Sequence, residues 1–570
     1  MSTVELKQKI TDLIAKETGI DPIEIGQMFE TPKELSHGDL AFPCFRLSKT
    51  LRKSPQQIAG DLRAKFSSQS GMSGIARVEQ AGGYLNFTFD SAAVTADALK
   101  RVLELGSSFG SSKLGANKTI VLEYSSVNIA KPLGIGHLRS TIIGAALNRI
   151  YRKLGYKTIS INHLGDWGTQ FGNLITAYRL WGREYKFDKD PTRDLYSLYV
   201  RFHESSKTDP QLIEKGREEF RKLEQGEVEN LALWKKFYEY SMVDFNLIYD
   251  ILDVHFDYMT GESFYREKVG AVVEELRGKN LLQQSEGATI VDLSAFNMPP
   301  CLMKKSDEST LYATRDLTAL LYRKETFKFD KILYVVGTAQ KLHFHQFFKV
   351  AELMGNDWIG SAVHVDFGWV KFGDKAMSTR EGNLIFFEDV MEEAKSRARE
   401  IVTRENPDLD KVEWTSEEVS VAAIVFTQLK VRRTKDVNFI WEDALSFKGE
   451  TGPYLQYTHA RLTSLTQKYG KSLPDLEADL SLLGEEEKQV IKWFEQYPDK
   501  IKHAAEIYET SILTDYLLNL ASSFNSYWQR IRILTGDAAL SRARMQMAYA
   551  VRVIIGDGLH LLGIEPLERM

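Results

Sequence analysis

Residues 125–140, SSVNIAKPLGIGHLRS, place glycines, a lysine and a histidine between a strand-like apolar run and a helical pattern. Gly134 and Gly136 allow the backbone to approach a ligand closely, because neither residue has a Cβ. The start of the predicted helix offers unpaired N–H groups and the positive end of the helix dipole, which favour phosphate. Lys131 adds a mobile positive charge and His137 a directional donor. These residues indicate a nucleotide phosphate site, although a tight turn with His137 as a cap residue is also compatible with the loop.

The middle of the chain alternates strand-like and helical patterns around this loop. Strands are predicted at 119–123 and 157–162, with a helix between them at 136–154, and further apolar runs occur at 288–293 and 331–336. Such alternation is typical of a doubly wound parallel sheet of the Rossmann-like α/β class. Ligands bind beyond the carboxyl ends of the strands in such sheets, which is where the loop after the first strand lies.

The chain is predicted to contain three domains. A Gly/Ser-rich segment at 106–112 marks a boundary, so we expect an α+β N-terminal domain over 1–112. The α/β domain is expected over 113–440, with a charged helical insertion at about 183–285. Strand patterns then fade, and helical periodicity predicts an all-α domain over 441–570.

The composition is that of an ordered globular protein: of 570 residues, 43% are hydrophobic and 26% are charged. Cys44 and Cys301 are too few for a disulfide framework or a thiolate zinc site, so we expect no zinc and a reducing, cytoplasmic location. No apolar run reaches the ~20 residues of a membrane helix, and the N-terminus lacks the apolar core of a signal peptide. The net charge of −5 does not itself indicate a nucleic-acid partner, since local basic patches decide such binding.

The loop and several further blocks resemble the arginyl-tRNA synthetases, a family of class I aminoacyl-tRNA synthetases. The loop is similar to the HIGH motif of that class. In chain order the other blocks are NHLGDWGTQFG (162–172), LYATRD (311–316), YVVGTAQKLHF (334–344), MSTREGN (377–383) and FKGETGPYLQYTHARL (447–462), and the sequence ends in LGIEPLERM. Because the blocks follow one another in the order of the family, chance similarity is not a sufficient explanation.

The resemblance implies a two-step reaction. The carboxylate of L-arginine attacks the α-phosphorus of ATP and releases pyrophosphate, and the arginyl group then passes to a ribose hydroxyl at the 3′ end of tRNA-Arg. Mg²⁺ would be bound through the phosphates. Catalytic roles are implied for Lys131, Gly136 and His137. The residues implied to bind ATP are Gly134, Gly136, His137, Lys131, Met377 and Ser378.

Two positions depart from the class I pattern. Gly134 stands where the class has the first histidine of its motif, and Thr379 stands where the class has a phosphate-binding lysine. Arginyl-tRNA synthetases that lack this lysine carry another one just before the motif, and Lys131 occupies that position. We therefore expect Lys131 to supply the missing charge, with a solvated loop lysine as the alternative.

The sequence leaves two alternative functions open. One is a class I synthetase for another amino acid. The other is a catalytically inactive, synthetase-like tRNA-binding protein, an alternative supported by Gly134 and Thr379. Following the default of the family, we expect a monomer.

A pocket for arginine needs carboxylates and neutral acceptors, because the guanidinium is a permanently charged planar group with five donors. Tyr312 and Asp316 are spaced i, i+4 and would share one face of a helix. Asp316 and Glu123 are the expected partners of substrate cations, and the sequence leaves open which of them meets the guanidinium. Asp316 could instead pair with Arg315. The positions that match the arginine site of the family are Glu123, Ser126, Val127, Asn128, His137, Tyr312, Asp316 and Gln340.

Other polar residues near the same sheet edge have less specific signals. His163, Asp166 and Gln170 follow the second predicted strand and resemble an active-site wall of the family, with a structural role in the turn as the alternative. His343 and His345 are spaced i, i+2, so a helix would place them on different faces and they form a poor metal pair. We expect these two histidines to be structural or exposed.

Three segments are expected to contact tRNA. In the N-terminal domain, Tyr84 and Asn86 share one face of a predicted strand and resemble the family's contact with the outer corner of tRNA, with core packing as the alternative. A basic cluster at 430–435 suits phosphate contact, with a solvated helix face as the alternative. Aromatic and polar side chains at 454–461 suit stacking on bases, and the helical domain of the family binds the anticodon. The expected tRNA-binding residues are Tyr84, Asn86, Arg432, Arg433, Tyr454, Tyr457 and Arg461.

Overall fold

The computed structural model describes residues 3–30, 32, 38–68, 74–304, 312–372 and 386–570. The described residues form two compact units. The first comprises Met1–Phe109, Arg461–Asp499 and Leu518–Asp557, and the second comprises Gly110–Ala460, Lys500–Leu517 and Gly558–Met570. Within the described part of the chain, every helix is too short or too polar to cross a membrane.

The N-terminal part of the first unit combines helices with a small antiparallel sheet. Its elements are α1 (Thr3–Thr18), α2 (Pro22–Met28), β1 (Leu40–Pro43), α3 (Ser48–Leu51), α4 (Pro55–Ser68), β2 (Ile75–Ala81), β3 (Tyr84–Phe89) and α5 (Ser91–Leu105). In the described residues the strand order is β1-β3-β2. Leu85 and Phe87 lie on one face of β3, because side chains alternate along a strand, and they belong to the same buried core as Ile10 and Phe42. This is an α+β arrangement, as expected.

The second unit contains the parallel sheet. Its elements up to the end of the insertion are β4 (Thr119–Glu123), α6 (Ile135–Lys153), β5 (Lys157–Asn162), α7 (Thr169–Trp181), α8 (Pro191–Thr208), α9 (Gln211–Glu224), α10 (Val228–Ile251), β6 (Tyr258–Met259), α11 (Glu262–Tyr265), α12 (Val269–Gly278), β7 (Leu282–Ser285), β8 (Ala288–Val291) and β9 (Cys301–Lys304). There follow α13 (Tyr312–Phe327), β10 (Lys331–Gly337), α14 (Lys341–Leu353), β11 (Ala362–Phe367), β12 (Val370–Phe372), α15 (Phe387–Glu405), α16 (Val412–Lys430), β13 (Val437–Phe439) and α17 (Trp441–Ala444). Five strands of the described chain form a sheet in the order β11-β10-β4-β5-β6 with all neighbours parallel, which confirms the predicted doubly wound sheet.

Burial on both faces of this sheet explains its apolar strands. Ile120, Val121 and Leu122 of β4 are fully buried, and central strands of a parallel sheet are continuously apolar for this reason. Val121 belongs to one core cluster with Leu317 of α13 and Phe347 of α14. The packing therefore fixes α13 and α14 against the sheet. Helix α13 carries the predicted arginine-site residues Tyr312 and Asp316, and α14 directly follows Gln340.

The apolar run at 288–293 does not join the parallel sheet, contrary to the prediction. Its strand, β8, pairs antiparallel with β7 and β9 in a separate sheet. The connections between these three strands are short, whereas a parallel neighbour requires a long crossover connection. Helices α8, α9 and α10 precede this sheet and form the helical part of the insertion.

The C-terminal part is helical, as predicted. Its helices are α18 (Gly452–Tyr469), α19 (Glu485–Ile491), α20 (Gln496–Glu506), α21 (Ser511–Arg530) and α22 (Ala538–Leu562). The described residues after 439 contain no strand. Short 3₁₀ helices in the described chain lie at Cys44–Leu47, Gly106–Ser108, Gly182–Glu184, Ser294–Phe296, Thr338–Gln340, Asp357–Ser361 and, in the C-terminal part, Leu480–Leu482. The three domain boundaries themselves stay a prediction.

Arg139 joins α6 to two distant backbone segments. The side chain is fully buried, and its Nη1 donates to the carbonyl oxygens of Gly368, at 2.7 Å, and Lys435, at 2.8 Å. Burial lowers the pKa of Arg139 to about 10, so the side chain is still charged at neutral pH. Since Arg139 follows His137 by two residues, these bonds hold the start of α6 to the segments that lead into β12 and β13.

Replacing Arg139 with methionine is expected to destabilise the second unit. The substitution keeps an apolar stem but leaves the buried Gly368 carbonyl without its donor, at a cost of about 1–3 kcal/mol. Thermal denaturation should show a lower Tm for Arg139→Met than for Arg404→Met, a control at a side chain that is 71% exposed. Equal Tm values for the two variants would contradict the role given to Arg139.

Candidate active site

The loop after β4 has an unusual backbone. Ser125, Ser126 and Ala130 have φ values of 73°, 51° and 61°, the left-handed region that residues other than glycine rarely adopt. Backbone N–H groups of these residues donate to the Oγ of Ser140, the Oδ1 of Asn162 and the Oγ of Ser241, at 3.0, 3.1 and 2.8 Å respectively. Strain of this kind persists where surrounding bonds enforce it, and it is typical of ligand-binding loops.

The start of α6 is open to a ligand. Gly134 is the N-cap of the helix and has no side-chain oxygen to cap the first N–H groups. Gly136 is exposed, and a Cβ built on it would meet no described atom within 4 Å. The described neighbours therefore do not require a glycine at 136, and the surface there can admit close approach of a ligand.

His137 is a neutral imidazole beside this helix start. Burial, and then the positive charge of Lys131, lower its pKa from 6.5 to about 4. Its Nδ1 is buried and has no hydrogen-bond partner among the described residues. The ammonium of Lys131 lies 4.6 Å from the centre of the Tyr199 ring, a cation–π distance. The two residues thus present a positive charge and an unused imidazole nitrogen near the helix start.

Glu123 is committed to a buried ion pair. Its carboxylate accepts a hydrogen bond from Nη1 of Arg323, and both side chains are almost completely buried. Burial alone would lower the pKa of Arg323, but the charge of Glu123 holds it well above its ordinary value. We predicted Glu123 as a partner of a substrate cation; the structure instead gives the carboxylate a cationic partner within the protein.

Asp316 contacts two histidines. Its Oδ2 is 2.6 Å from Nε2 of His343, and its Oδ1 is 3.7 Å from Nε2 of His163. Burial would raise the pKa of Asp316, but the hydrogen bond and charge of His343 outweigh it, so the pKa lies below its ordinary value. The alternative pairing of Asp316 with Arg315 is not found, because Arg315 pairs with Glu262 at 2.5 Å.

The carboxylates of this region therefore differ in whether a positively charged side chain pairs with them. Glu123 and Glu262 each have an arginine partner, whereas Asp316 has only histidines within ion-pair distance in the described residues. An ionised carboxylate that is partly shielded from water needs a compensating charge. Asp316 is thus the carboxylate that a cationic ligand can neutralise.

The remaining predicted arginine-site residues differ in accessibility. Tyr312 begins α13 and is 66% exposed, and Gln340 just before α14 is also exposed. Val127 is buried, and its carbonyl accepts the N–H of Gly165 at 2.9 Å, so its side chain does not line an open surface. Tyr312 and Gln340 can therefore contact a ligand in this conformation.

The segments that follow β4 and β5 are closely packed against each other. Asn128 forms a bridge with Gly165, where a Cβ would lie 2.1 Å from the Asn128 Oδ1. The Ser126 Oγ is buried with no partner among the described residues. Glycine is thus required at 165 by the side chain of a predicted site residue.

Asp166 and Gln170 have local partners. Asp166 accepts from the N–H and Oγ of Ser263, at 2.8 and 2.6 Å. Burial raises the pKa of Asp166 even though these bonds oppose it. Gln170 Nε2 lies 3.5 Å from the carbonyl oxygen of Gly165. These contacts favour the structural alternative for both residues. His163 differs from them because its Nε2 lies 3.7 Å from the carboxylate of Asp316.

In the second unit, the predicted tRNA residues divide into exposed and engaged side chains. Arg432 is exposed, but Arg433 is bonded through Nη1 to the Asp366 carboxylate at 2.5 Å. Tyr454 and Tyr457 are half-buried, and Tyr457 stacks on Phe447 with 6.1 Å between ring centres. The basic cluster therefore offers Arg432, while the prediction for Arg433 is corrected by its ion pair.

In the first unit, Asn86 is buried, so the expected exposed Tyr84/Asn86 pair is not present. Tyr84 is half-buried and meets the edge of Phe45 at 5.2 Å between ring centres. Arg461 lies 4.5 Å from the centre of the Trp528 ring. Packing on the face of β3 that carries Asn86 explains the difference, because the strand period alone does not reveal which faces are covered.

Three of the residues singled out in the sequence lie outside the described residues, and two described residues near Asp316 and Glu123 were not predicted as site residues. Met377, Ser378 and Thr379 lie outside the described residues. His343, which we expected to be structural or exposed, contacts Asp316, and Arg323 pairs with Glu123. The i, i+7 spacing of 316 and 323 on α13 was an available signal for Arg323, since it places both residues on one helix face.

The fold and this site define a class I aminoacyl-tRNA synthetase. Three family models match the chain: "tRNA synthetases class I (R), catalytic domain" over 98–441, "DALR anticodon binding domain" over 455–570, and "Arginyl tRNA synthetase N terminal domain" over 4–89. Proteins named arginine–tRNA ligase are 44% identical over 99% of this chain in Alkaliphilus metalliredigens and 42% identical over 100% in Clostridium botulinum, and in each case the match covers 100% of the relative. The chain belongs to the arginyl-tRNA synthetase family.

Solved structures agree with this at the level of the fold. The arginyl-tRNA synthetase of Thermus thermophilus superposes with a TM-score of 0.82 at 24% identity, covering 99% of both chains. The corresponding protein of Plasmodium falciparum gives a TM-score of 0.80 at 23% identity, covering 100% of both chains. The fold is thus shared along the whole sequence.

Acid is expected to destabilise the second unit through His137. Its pKa is about 4 in the folded chain, against an ordinary 6.5, so between these values the unfolded chain binds a proton that the folded chain does not. The stability contributed by neutral His137 is fully present above the ordinary pKa and is lost as the pH falls towards the folded pKa. Calorimetry should show a larger fall in Tm between about pH 7 and about pH 5 for the wild type than for His137→Gln. Falls of equal size would contradict this assignment.

Proposed function

We propose that the chain activates L-arginine with ATP and transfers it to the 3′ end of tRNA-Arg. The observation that carries this proposal is the match to proteins named arginine–tRNA ligase over the full length of both partners. The inactive tRNA-binding alternative loses its support, because full-length relatives with 42–44% identity carry the name of a ligase. Lys131 and His137, which an inactive relative would not need, are present.

For arginine recognition, we assign the guanidinium to Asp316. No arginine or lysine lies within ion-pair distance of this carboxylate in the described residues, and it lies on the same helix face as the exposed Tyr312. Glu123 then acts indirectly, because its pair with Arg323 fixes α13 to the end of β4. Ser126, Asn128 and Gln340 are proposed to complete the pocket.

For ATP, we assign the phosphates to the open start of α6. Gly134 and Gly136 leave room for the triphosphate, Lys131 supplies a positive charge, and neutral His137 supplies one N–H donor. Met377 and Ser378 are proposed from the sequence alone. No group of three or more His, Cys, Asp or Glu in the described chain is arranged to hold a metal, so we propose that Mg²⁺ enters as part of the nucleotide substrate.

The chemistry of both steps depends on positioning and on stabilising developing charge. In the first step, an oxygen of the arginine carboxylate bonds to the α-phosphorus and pyrophosphate leaves. In the second step, a ribose hydroxyl attacks the activated carboxyl carbon and AMP leaves. Removing one preorganised donor at such a centre costs on the order of 10²–10³ in rate, which is the contribution we propose for His137.

For tRNA, we propose contacts by Arg432, Tyr454 and Tyr457 in the second unit and, separately, by Arg461 in the first unit. Arg432 is exposed, and the other three lie at the start of or along α18. The match to an anticodon-binding domain over 455–570 supports this location. We further propose that the protein is a cytoplasmic monomer. We also propose that its three domains meet at residues 112 and 440.

Acylation of total tRNA with each of the twenty amino acids tests the proposed function. Only arginine should become attached, and attachment should require ATP and Mg²⁺. Attachment of a different amino acid would indicate another class I specificity. Binding of tRNA without acylation by any amino acid would indicate the inactive alternative.

Replacing Lys131 with alanine is expected to depress arginyl-adenylate formation by at least about 10²-fold, because the triphosphate loses a charge that Thr379 does not supply. Pyrophosphate exchange in the presence of tRNA measures this step. Adding Thr379→Lys to the variant should restore part of the rate. Lys157→Ala, at the amino end of β5, serves as the control and should leave exchange unchanged. A rate for Lys131→Ala equal to that of the control would refute the compensation by Lys131.

A further inference from the structure

His343 makes the shortest polar contact of the proposed guanidinium partner. It lies in the first turn of α14, and its Nε2 is 2.6 Å from Oδ2 of Asp316. The two side chains are only 23% and 26% exposed, so the contact is largely shielded from water. Since an ionised carboxylate accepts and does not donate, the imidazole N–H is the donor.

The other oxygen of Asp316 has a different environment. Oδ1 is 3.7 Å from Nε2 of His163, which is longer than a hydrogen bond. The His163 side chain is only 10% exposed, and this nitrogen has no hydrogen-bond partner among the described residues. Oδ2 of Asp316 is therefore held by a hydrogen bond. The polar atom near Oδ1 is Nε2 of His163, which has no hydrogen-bond partner among the described residues.

We propose that His343 is a positioning residue for arginine, which holds Oδ2 of Asp316 and leaves Oδ1 for the guanidinium. The proposal depends on the proposed function and adds a residue to it. An imidazole suits this role, because it donates one directional hydrogen bond and, unlike lysine or arginine, carries no permanent charge. A permanent cation at 343 would instead neutralise the carboxylate and compete with the substrate.

Two substitutions of His343 separate positioning from packing. The ring lies 5.3 Å from Phe347 and 5.7 Å from Phe344 between centres, so His343→Phe keeps an aromatic ring among aromatic neighbours but removes the donor. His343→Gln keeps an N–H donor but removes the ring. If the hydrogen bond matters, His343→Phe should raise the KM for arginine about tenfold, and His343→Gln should stay within about threefold of the wild type.

Steady-state arginylation of tRNA measures these variants, with arginine and ATP varied separately. The KM for ATP should not change, because the triphosphate is proposed to bind at the start of α6. His345→Ala is the matched control, since His345 is exposed on the same helix, and its KM for arginine should equal that of the wild type. Circular dichroism at the assay temperature verifies that each variant is folded.

The opposite order of effects would overturn the proposal. If His343→Phe keeps the KM for arginine while His343→Gln raises it, the residue acts through packing. An equal rise of the KM values for arginine and ATP would likewise refute positioning. Failure of the proposed function is distinguishable, because the wild-type chain would then not attach arginine to tRNA at all.

Discussion

The buried ion pair between Glu123 and Arg323 is the interaction on which the geometry of the site depends. It joins the end of a central strand to α13, and Arg323 lies seven residues after Asp316 on that helix. Breaking a buried pair leaves an uncompensated charge and typically costs about 3–5 kcal/mol. Since the pair neutralises Glu123, it leaves Asp316 as the carboxylate that we propose for a cationic substrate.

The proposed nucleotide side of the site is built from different chemical groups. There the protein supplies backbone rather than carboxylates: a strained loop, a helix start without a side-chain cap, and an exposed glycine, Gly136, with no described atom within 4 Å of a Cβ built on it. Lys131 and neutral His137 add one charge and one donor. In the function proposed above the two halves are complementary, because an anionic group would receive the guanidinium while N–H groups and a cation would receive the phosphates.

Sequence patterns predicted the elements that carry a strong local signal and missed those that depend on distant partners. The strand at 157–162, in which polar residues alternate with Ile159 and Ile161, was predicted. The apolar runs at 119–123 and 331–336 became central strands, since burial on both faces requires continuous apolar residues. The run at 288–293 has the same composition, but its short connections place it in an antiparallel sheet. Asp316 was predicted as an arginine-site residue from its motif, and that role stays a prediction. The pairing of Glu123 with Arg323, two hundred residues away, and the burial of Asn86 depend on tertiary packing that no local pattern encodes.

The most direct test of this account compares the binding of arginine with that of citrulline, its neutral analogue, by titration calorimetry. If Asp316 is the carboxylate that receives the guanidinium, Asp316→Asn should reduce the preference for arginine over citrulline by at least about 10²-fold. Glu123→Gln should weaken the binding of both amino acids and change the preference by no more than about threefold. A preference that survives Asp316→Asn and is lost in Glu123→Gln would contradict the assignment of the charges.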